Sequence, residues 1–195
     1  MKRYLILGLI LILTVSCQDK KPNYNPEAIE LNNKACELMK NQMNDSALIL
    51  LDKATLIDKS YYTAYGNKIE IYCQRKDYLK AIIELENQLK AKPDLAESWT
   101  LVGIIYDYQG DTIKAKNYYQ ESISLYDKRI SNENNKENLI SNKLNRAVSL
   151  IMFGNENAGK DELKKLKESN PDKLNIDELL KMSRKDYLKL VINDK

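Results

Sequence analysis

The sequence predicts an all-α fold built as a solenoid of helical hairpins, and three observations predict it. Alanines stand at Ala47, Ala81 and Ala115, a spacing of 34 residues taken twice, the length of one helix-turn-helix unit that stacks on its neighbours. Gly103 and Ala115 are small residues in neighbouring apolar stretches, and small residues let packed helix axes approach to about 8 to 10 Å. Between them, Gly110 supplies a residue that takes the left-handed turn ending one helix, and Asp111 one that caps the free N–H groups opening the next.

The pattern is densest around Ala115, where Trp99, Val102, Gly103, Tyr106, Gly110, Asp111, Ala115 and Tyr119 supply an anchor, an aliphatic, a small residue, an aromatic, a turn, a cap, a small residue and an aromatic. In this order they closely resemble the tetratricopeptide repeat (TPR) family. The resemblance implies a right-handed TPR-type solenoid with a C-terminal capping helix and a concave groove lined by the first helix of each repeat. One period earlier stand Tyr65, Lys68, Ile69, Tyr72, Asp77, Ala81, Leu85 and Pro93, with Lys76 where a turn glycine is usual. A further period back stand Leu31, Ala35, Leu38, Ala47, Leu51 and Ala54, with Asn44 and Asp45 as candidate caps and Lys59 in place of the terminal proline. These three repeats occupy residues 28–129.

An Asn-rich insert at 130–139 breaks the phase, and a degenerate fourth repeat at 140–173 resumes with Ala147, Leu150, Gly154, Leu163, Leu166 and Pro171. There Lys143 and Arg146 fall at positions that should be apolar, and Gly159 replaces the alanine. The first helix of that repeat, with the stripe Ile140, Leu144, Ala147, Val148 and Ile151, is expected to be rotated or lengthened. Residues 174–195 carry the apolar spacing of a capping helix (Leu179, Leu180, Tyr187, Leu188 and Val191), with a break near Ser183. An end repeat has one face without a neighbour, and a helix apolar inward and Lys-rich outward keeps such a stack soluble.

Residues 1–16 read as a signal peptide. Lys2 and Arg3 form its positive start, and Tyr4 to Val15 form a 12-residue apolar or neutral run, short of the roughly 20 residues that span a bilayer. Val15-Ser16-Cys17 resembles the bacterial lipobox, with Thr14 where Leu is preferred, which implies cleavage before Cys17 and lipidation of that residue. Two acyl chains hold a protein stably on a membrane, each buried methylene contributing about 0.8 kcal/mol. Residues 17–27 then read as a polar, proline-punctuated tether. Gln18, rather than Asp, follows the cysteine, and in lipoprotein sorting this implies the outer membrane of a bacterial cell envelope, with the periplasmic and surface faces both open. An ordinary secretory signal beside a chance cysteine is the competing reading.

Composition narrows the function. The chain has 31 basic and 28 acidic residues, and Lys2 and Arg3 of the leader account for most of that difference, so a nucleic-acid partner, which calls for a marked basic stripe, is not expected. There is no histidine, which closes the Ser-His-Asp and Cys-His routes and removes the commonest metal ligand. No G-x-x-x-x-G-K-[ST] or G-x-G-x-x-G run cradles a phosphate. Catalysis, cofactors and a metal site are accordingly not expected.

The groove implied by the resemblance is the candidate site. Its partner-binding candidates are Asn32 and Met39 in the first repeat, Glu70 in the second, and Glu97, Ile104, Asp107 and Tyr108 in the third, an inner surface acidic toward its third repeat. Glu97 and Leu101 stand where a TPR clamp for chaperone tails would need cations, so that ligand is not expected, and a basic or neutral peptide suits the surface better. Cys36 and Cys73 face the same groove. An oxidising envelope permits a bond between them, but neighbouring first helices lie too far apart unless the residues are level, which favours two free thiols. The reading is a lipid-anchored, non-catalytic scaffold binding a protein or peptide in its groove and the membrane through Cys17. Its alternative is a surface-exposed lipoprotein binding a soluble peptide or glycan, with Tyr108 as the main aromatic candidate.

Overall fold

The computed structural model describes residues 23–171 and 176–192. The signal peptide, Cys17 and most of the tether lie outside the described residues. Among those described there are ten helices and no strand. A first compact unit, ending at Asp94, contains α1 (Pro26–Lys40), α2 (Asn44–Ile57), α3 (Tyr62–Gln74) and α4 (Tyr78–Ala91). A second, starting at Leu95, contains α5 (Ala96–Tyr108), α6 (Thr112–Asn132), α7 (Lys136–Phe153), α8 (Glu156–Ser169), α9 (Asp177–Lys181) and α10 (Arg184–Ile192). The first eight helices pair consecutively into four hairpins.

All four hairpins turn in the same way. A left-handed residue stands at Gln42, Lys76, Gly110 and Gly154, with φ of 60°, 57°, 87° and 114°. The following residue returns its N–H to the carbonyl five places back, from Met43 to Leu38, Asp77 to Tyr72, Asp111 to Tyr106 and Asn155 to Leu150, each at 2.9 Å. This bond satisfies a carbonyl that the helix end leaves open. Lys76 thus adopts the conformation expected of the glycine it replaces. Asp77 and Asp111 cap the next helices by accepting from Lys80 N at 3.2 Å and Lys114 N at 3.1 Å.

In the first unit, α1 starts at Pro26, a residue suited to the first helical position, and Asn25 Oδ1 accepts from Glu27 N at 2.9 Å. Its core is small-residue packing: Ala28, Ala35, Ala47, Ala54 and Ala64 are inaccessible and surround Leu51 and Ile71. Lys68, at an aliphatic position of the repeat, is buried with only 8% of its side chain exposed, and its Nζ bridges Asp52 of α2 at 2.7 Å and Glu84 of α4 at 2.6 Å. Burial pulls the pKa of the ammonium down, but its hydrogen bonds to Asp52 and Glu84 and their negative charges outweigh it and hold the group above its ordinary value.

In the second unit the repeat pattern returns with its own solutions. The Tyr119 ring fills the space beside Gly103, where a Cβ would fall 2.7 Å from Tyr119 Cε1. Tyr118 stacks on Tyr106 and meets the tilted ring of Trp99, with centroids 5.5 Å apart in both pairs, so aromatics of this hairpin pack against one another. Thr100, Ser122 and Ser149 bring three buried hydroxyls from α5, α6 and α7 to one crossing, with Thr100 Oγ1 2.6 Å from Ser122 Oγ and 3.0 Å from Ser149 Oγ. The Asn-rich insert is largely helical: α6 runs to Asn132 and α7 starts at Lys136, where Asn135 Oδ1 accepts from Glu137 N at 2.9 Å. The first helix of the fourth repeat is therefore lengthened. Arg146 mirrors Lys68, its guanidinium bridging Asp127 of α6 at 2.5 Å and Glu162 of α8 at 2.7 Å. At Gly159 a Cβ would fall 2.5 Å from the Ala147 carbonyl oxygen and 2.6 Å from Ile151 Cγ1, so this crossing is closer than an alanine allows.

Candidate interaction surface

The inner helices of the two units present different surfaces. In the first, α1 and α3 are joined by a polar cluster in which Asn67 Nδ2 donates to Asn32 Oδ1 at 2.7 Å and to Cys36 Sγ at 3.4 Å. Beside it Lys40, Thr63, Glu70 and Gln74 are exposed, while Ile29 and Met39 are half-buried. Gln74 Nε2 donates to Glu70 Oε1 at 3.2 Å. The result is an open surface of mixed charge with apolar side chains at its edge, a composition suited to an extended polypeptide.

In the second unit the inner face of α5 is covered. The helix α10 lies against α5 and α7, and Ser183 and Asp186 form its start, with Ser183 Oγ donating to Asp186 Oδ2 at 2.6 Å and Ser183 N to the same oxygen at 2.9 Å. The Arg184 guanidinium pairs with Asp107, and its Nε donates to the Met152 carbonyl at 2.7 Å. Tyr187 is wholly buried and its hydroxyl donates to the Leu179 carbonyl at 2.7 Å. Glu97 is paired as well, accepting from Arg129 Nη1 at 2.6 Å. Tyr119 OH donates to Asp107 at 3.3 Å, and burial, reinforced by the Asp107 charge, pushes that hydroxyl far above its ordinary pKa, so it remains a donor at neutral pH.

These placements correct the expected groove. Met39, Glu70 and Tyr108 are solvent-accessible, whereas Asn32, Glu97, Ile104 and Asp107 are buried. Asn32 is used between α1 and α3, Ile104 packs under α10, and the two acids are neutralised by arginines 32 and 77 residues away in the chain. The acidic third-repeat surface is therefore absent: a buried carboxylate needs a charge partner, and Arg129 and Arg184 provide it. Asn67, Arg129 and Arg184 were not singled out in the sequence, whereas Tyr187 was, as an apolar position of the capping helix. The Ser-x-x-Asp box at 183–186 marks the start of α10 in the sequence, but nothing local marks the face it covers.

Cys36 and Cys73 are free thiols. Burial pushes the Cys73 thiol up to about 11, with Glu70 adding to the effect, and burial likewise raises Cys36. Both are protonated and weakly nucleophilic at neutral pH. Among the described residues no group of three or more Cys, Asp or Glu is placed to hold a metal ion, and no helix is long and apolar enough to cross a membrane.

The chain matches no protein-family model, and comparison with curated proteins yields no match. Solved structures do match. One is the crystal structure of PilW, described as a widely conserved type IV pilus biogenesis factor, with a TM-score of 0.56 and 22% identity over 75% of this chain and 64% of that one. Another is YrrB, described as a TPR protein with an unusual peptide-binding site, with a TM-score of 0.53 and 22% identity over 74% of this chain and 69% of that one. This chain thus spans just under two thirds of the PilW chain. Together with the four identical hairpin turns and the small residues at the helix crossings, these likenesses identify the fold: the chain has the all-α, helical-hairpin fold of the tetratricopeptide repeat proteins.

Proposed function

We propose that the protein is a lipid-anchored, non-catalytic scaffold of the bacterial cell envelope, held through Cys17 at the outer membrane and binding a partner protein or peptide on the inner face of α1 and α3. The observation that carries this reading is the open surface formed by Lys40, Thr63, Glu70 and Gln74 beside the half-buried Ile29 and Met39, which offers both charge recognition and apolar contact. The peptide-binding site named for YrrB and the type IV pilus biogenesis role named for PilW belong to those proteins, and they support a binding role for the same fold here. Anchoring rests on the lipobox-like Val15-Ser16-Cys17 and on Gln18 after it.

The test is crosslinking in cells followed by affinity capture, with the parent chain beside a Glu70→Lys variant and a Cys17→Ser variant. Glu70 is exposed, so the charge reversal should leave the thermal melt unchanged while partners of the inner face are lost. Cys17→Ser should release the protein from the membrane fraction. An unchanged partner set with Glu70→Lys would overturn the assignment of the surface, and a Cys17→Ser protein that still fractionates with membrane would overturn the anchor. Protease treatment of intact cells separates a protected periplasmic scaffold from a surface lipoprotein meeting a soluble peptide or glycan.

A further inference from the structure

The last described helix closes the inner face of the second unit, buried at both Tyr187 and Ile192, and leaves one small cleft beside it unfilled. At its start, the Arg184 guanidinium meets both the Asp107 carboxylate and the Met152 carbonyl, and Tyr187 is wholly buried three residues on. Toward its end, Val191 stands over a cleft of about 20 Å³ lined by Ile104, Tyr126 and Val148, room for one water or one more methyl group. The helix has nine residues, too few to be stable away from a surface.

Asp107 decides what can replace it. Its carboxylate is buried with 2% of its side chain exposed, and besides Arg184 its described partner is the neutral Tyr119 hydroxyl. A carboxylate so placed is strongly destabilising without a cation. The second acceptor is a carbonyl at the C-terminal end of α7, where partial negative charge gathers. A planar guanidinium reaches both acceptors at once, whereas a single ammonium does so poorly.

We propose that the inner face of α5 and α7 is a docking site for a partner protein's amphipathic helix carrying an arginine, an aromatic residue three positions later and a branched aliphatic residue seven positions later, and that α10 occupies this site until such a helix displaces it. The proposal deepens the scaffold reading by naming a second site and its selectivity. The helix α10 carries the same pattern in Arg184, Tyr187 and Val191. A bulkier aliphatic at the last position would fill the cleft that Val191 leaves, which gives an external helix its advantage over α10.

The test uses the full chain and a fluorescein-labelled synthetic peptide of residues 182–192 bearing the Val191→Leu change. In fluorescence anisotropy the peptide should bind an Arg184→Ala chain at least tenfold more tightly than the parent, because α10 has lost its anchor while Asp107 and the Met152 carbonyl remain. A peptide that also carries Arg184→Lys should bind at least tenfold more weakly. Equal affinity for the two chains, equal affinity of the two peptides, or no binding to either chain would overturn the proposal. Should the Arg184→Ala chain fold poorly, hydrogen exchange on the parent decides: saturating peptide should speed exchange in α10 while α5 and α7 stay protected, and unchanged α10 exchange would overturn the proposal. The Glu70→Lys chain should bind the peptide as the parent does, so failure of the first-unit surface and failure of this site are read separately.

Discussion

The first unit turns both of its hairpins through left-handed Gln42 and Lys76, whereas the second uses Gly110 and Gly154 for the same turns. The first buries Lys68 between Asp52 and Glu84, and the second sets Arg146 between Asp127 and Glu162 at a more exposed site. On its inner helices the first leaves Glu70 and Lys40 to solvent, while the second pairs Glu97 and Asp107 with arginines and covers them. The repeat therefore specifies hairpin geometry at a few small or left-handed positions and leaves the electrostatics to each copy. Two copies with one backbone present opposite surfaces, because charged residues between the fixed positions find different partners.

The comparison is broken most severely at Lys68. Lys68→Ala should cost about 3 to 5 kcal/mol, since it leaves the buried Glu84 carboxylate without its cation; Glu84 Oε2 is already buried without a hydrogen-bond partner. The double variant Lys68→Leu with Glu84→Leu, which restores the aliphatic of the repeat, should recover the parent stability or exceed it by about 1 kcal/mol or more. Denaturant melts of both variants check this, and a double variant as unstable as the single would show that the buried pair holds the hairpin for another reason.

Next in size is Gly159→Ala, a conservative step toward the usual repeat that should nonetheless destabilise the second unit by about 1 to 3 kcal/mol. The added methyl meets the Ala147 carbonyl oxygen at 2.5 Å, and backbone yields less readily than a side chain. An unchanged melting temperature would mean that α7 and α8 cross less closely than described. The smallest effect is expected at Lys76→Gly, which imports the second unit's turn residue into the first. Relief of the left-handed strain, about 1 to 2 kcal/mol, is offset in part by the greater freedom of glycine in the unfolded chain, so a gain of up to about 1 kcal/mol is expected. A loss of stability would show that the Lys76 side chain contributes more than its backbone costs.

The hairpins were legible in the sequence because their determinants are local. Ala47, Ala81 and Ala115 stand at crossings, Tyr119 fills the space beside Gly103, and Asp77 and Asp111 cap the helices that follow them. The inner surface was legible only in part. Glu97 and Asp107 sit on the face that helical phase assigns them, but their burial depends on Arg129 and on a C-terminal helix 77 residues away from Asp107. Such pairing is set by where a remote segment docks, which helical periodicity does not encode. The apolar spacing of 174–195 announced an end cap, whereas α10 turns inward onto α5 and α7.

The fourth hairpin turn lies at Asn155, 44 residues after Asp111, where the earlier turns at Met43, Asp77 and Asp111 are 34 apart. The ten additional residues lie on α6 and α7: α6 has 21 residues where its counterpart α4 has 14, and α7 has 18 where α5 has 13, while the link and the turn are each one residue shorter. At about 1.5 Å per residue, α6 spans about 32 Å and its counterpart α4 about 21 Å, so the two helices that meet at 133–135 are both longer than their counterparts while the turns on either side are unchanged. The link at 133–135 thus joins the two lengthened helices, while the hairpin turns that precede and follow it keep the same form.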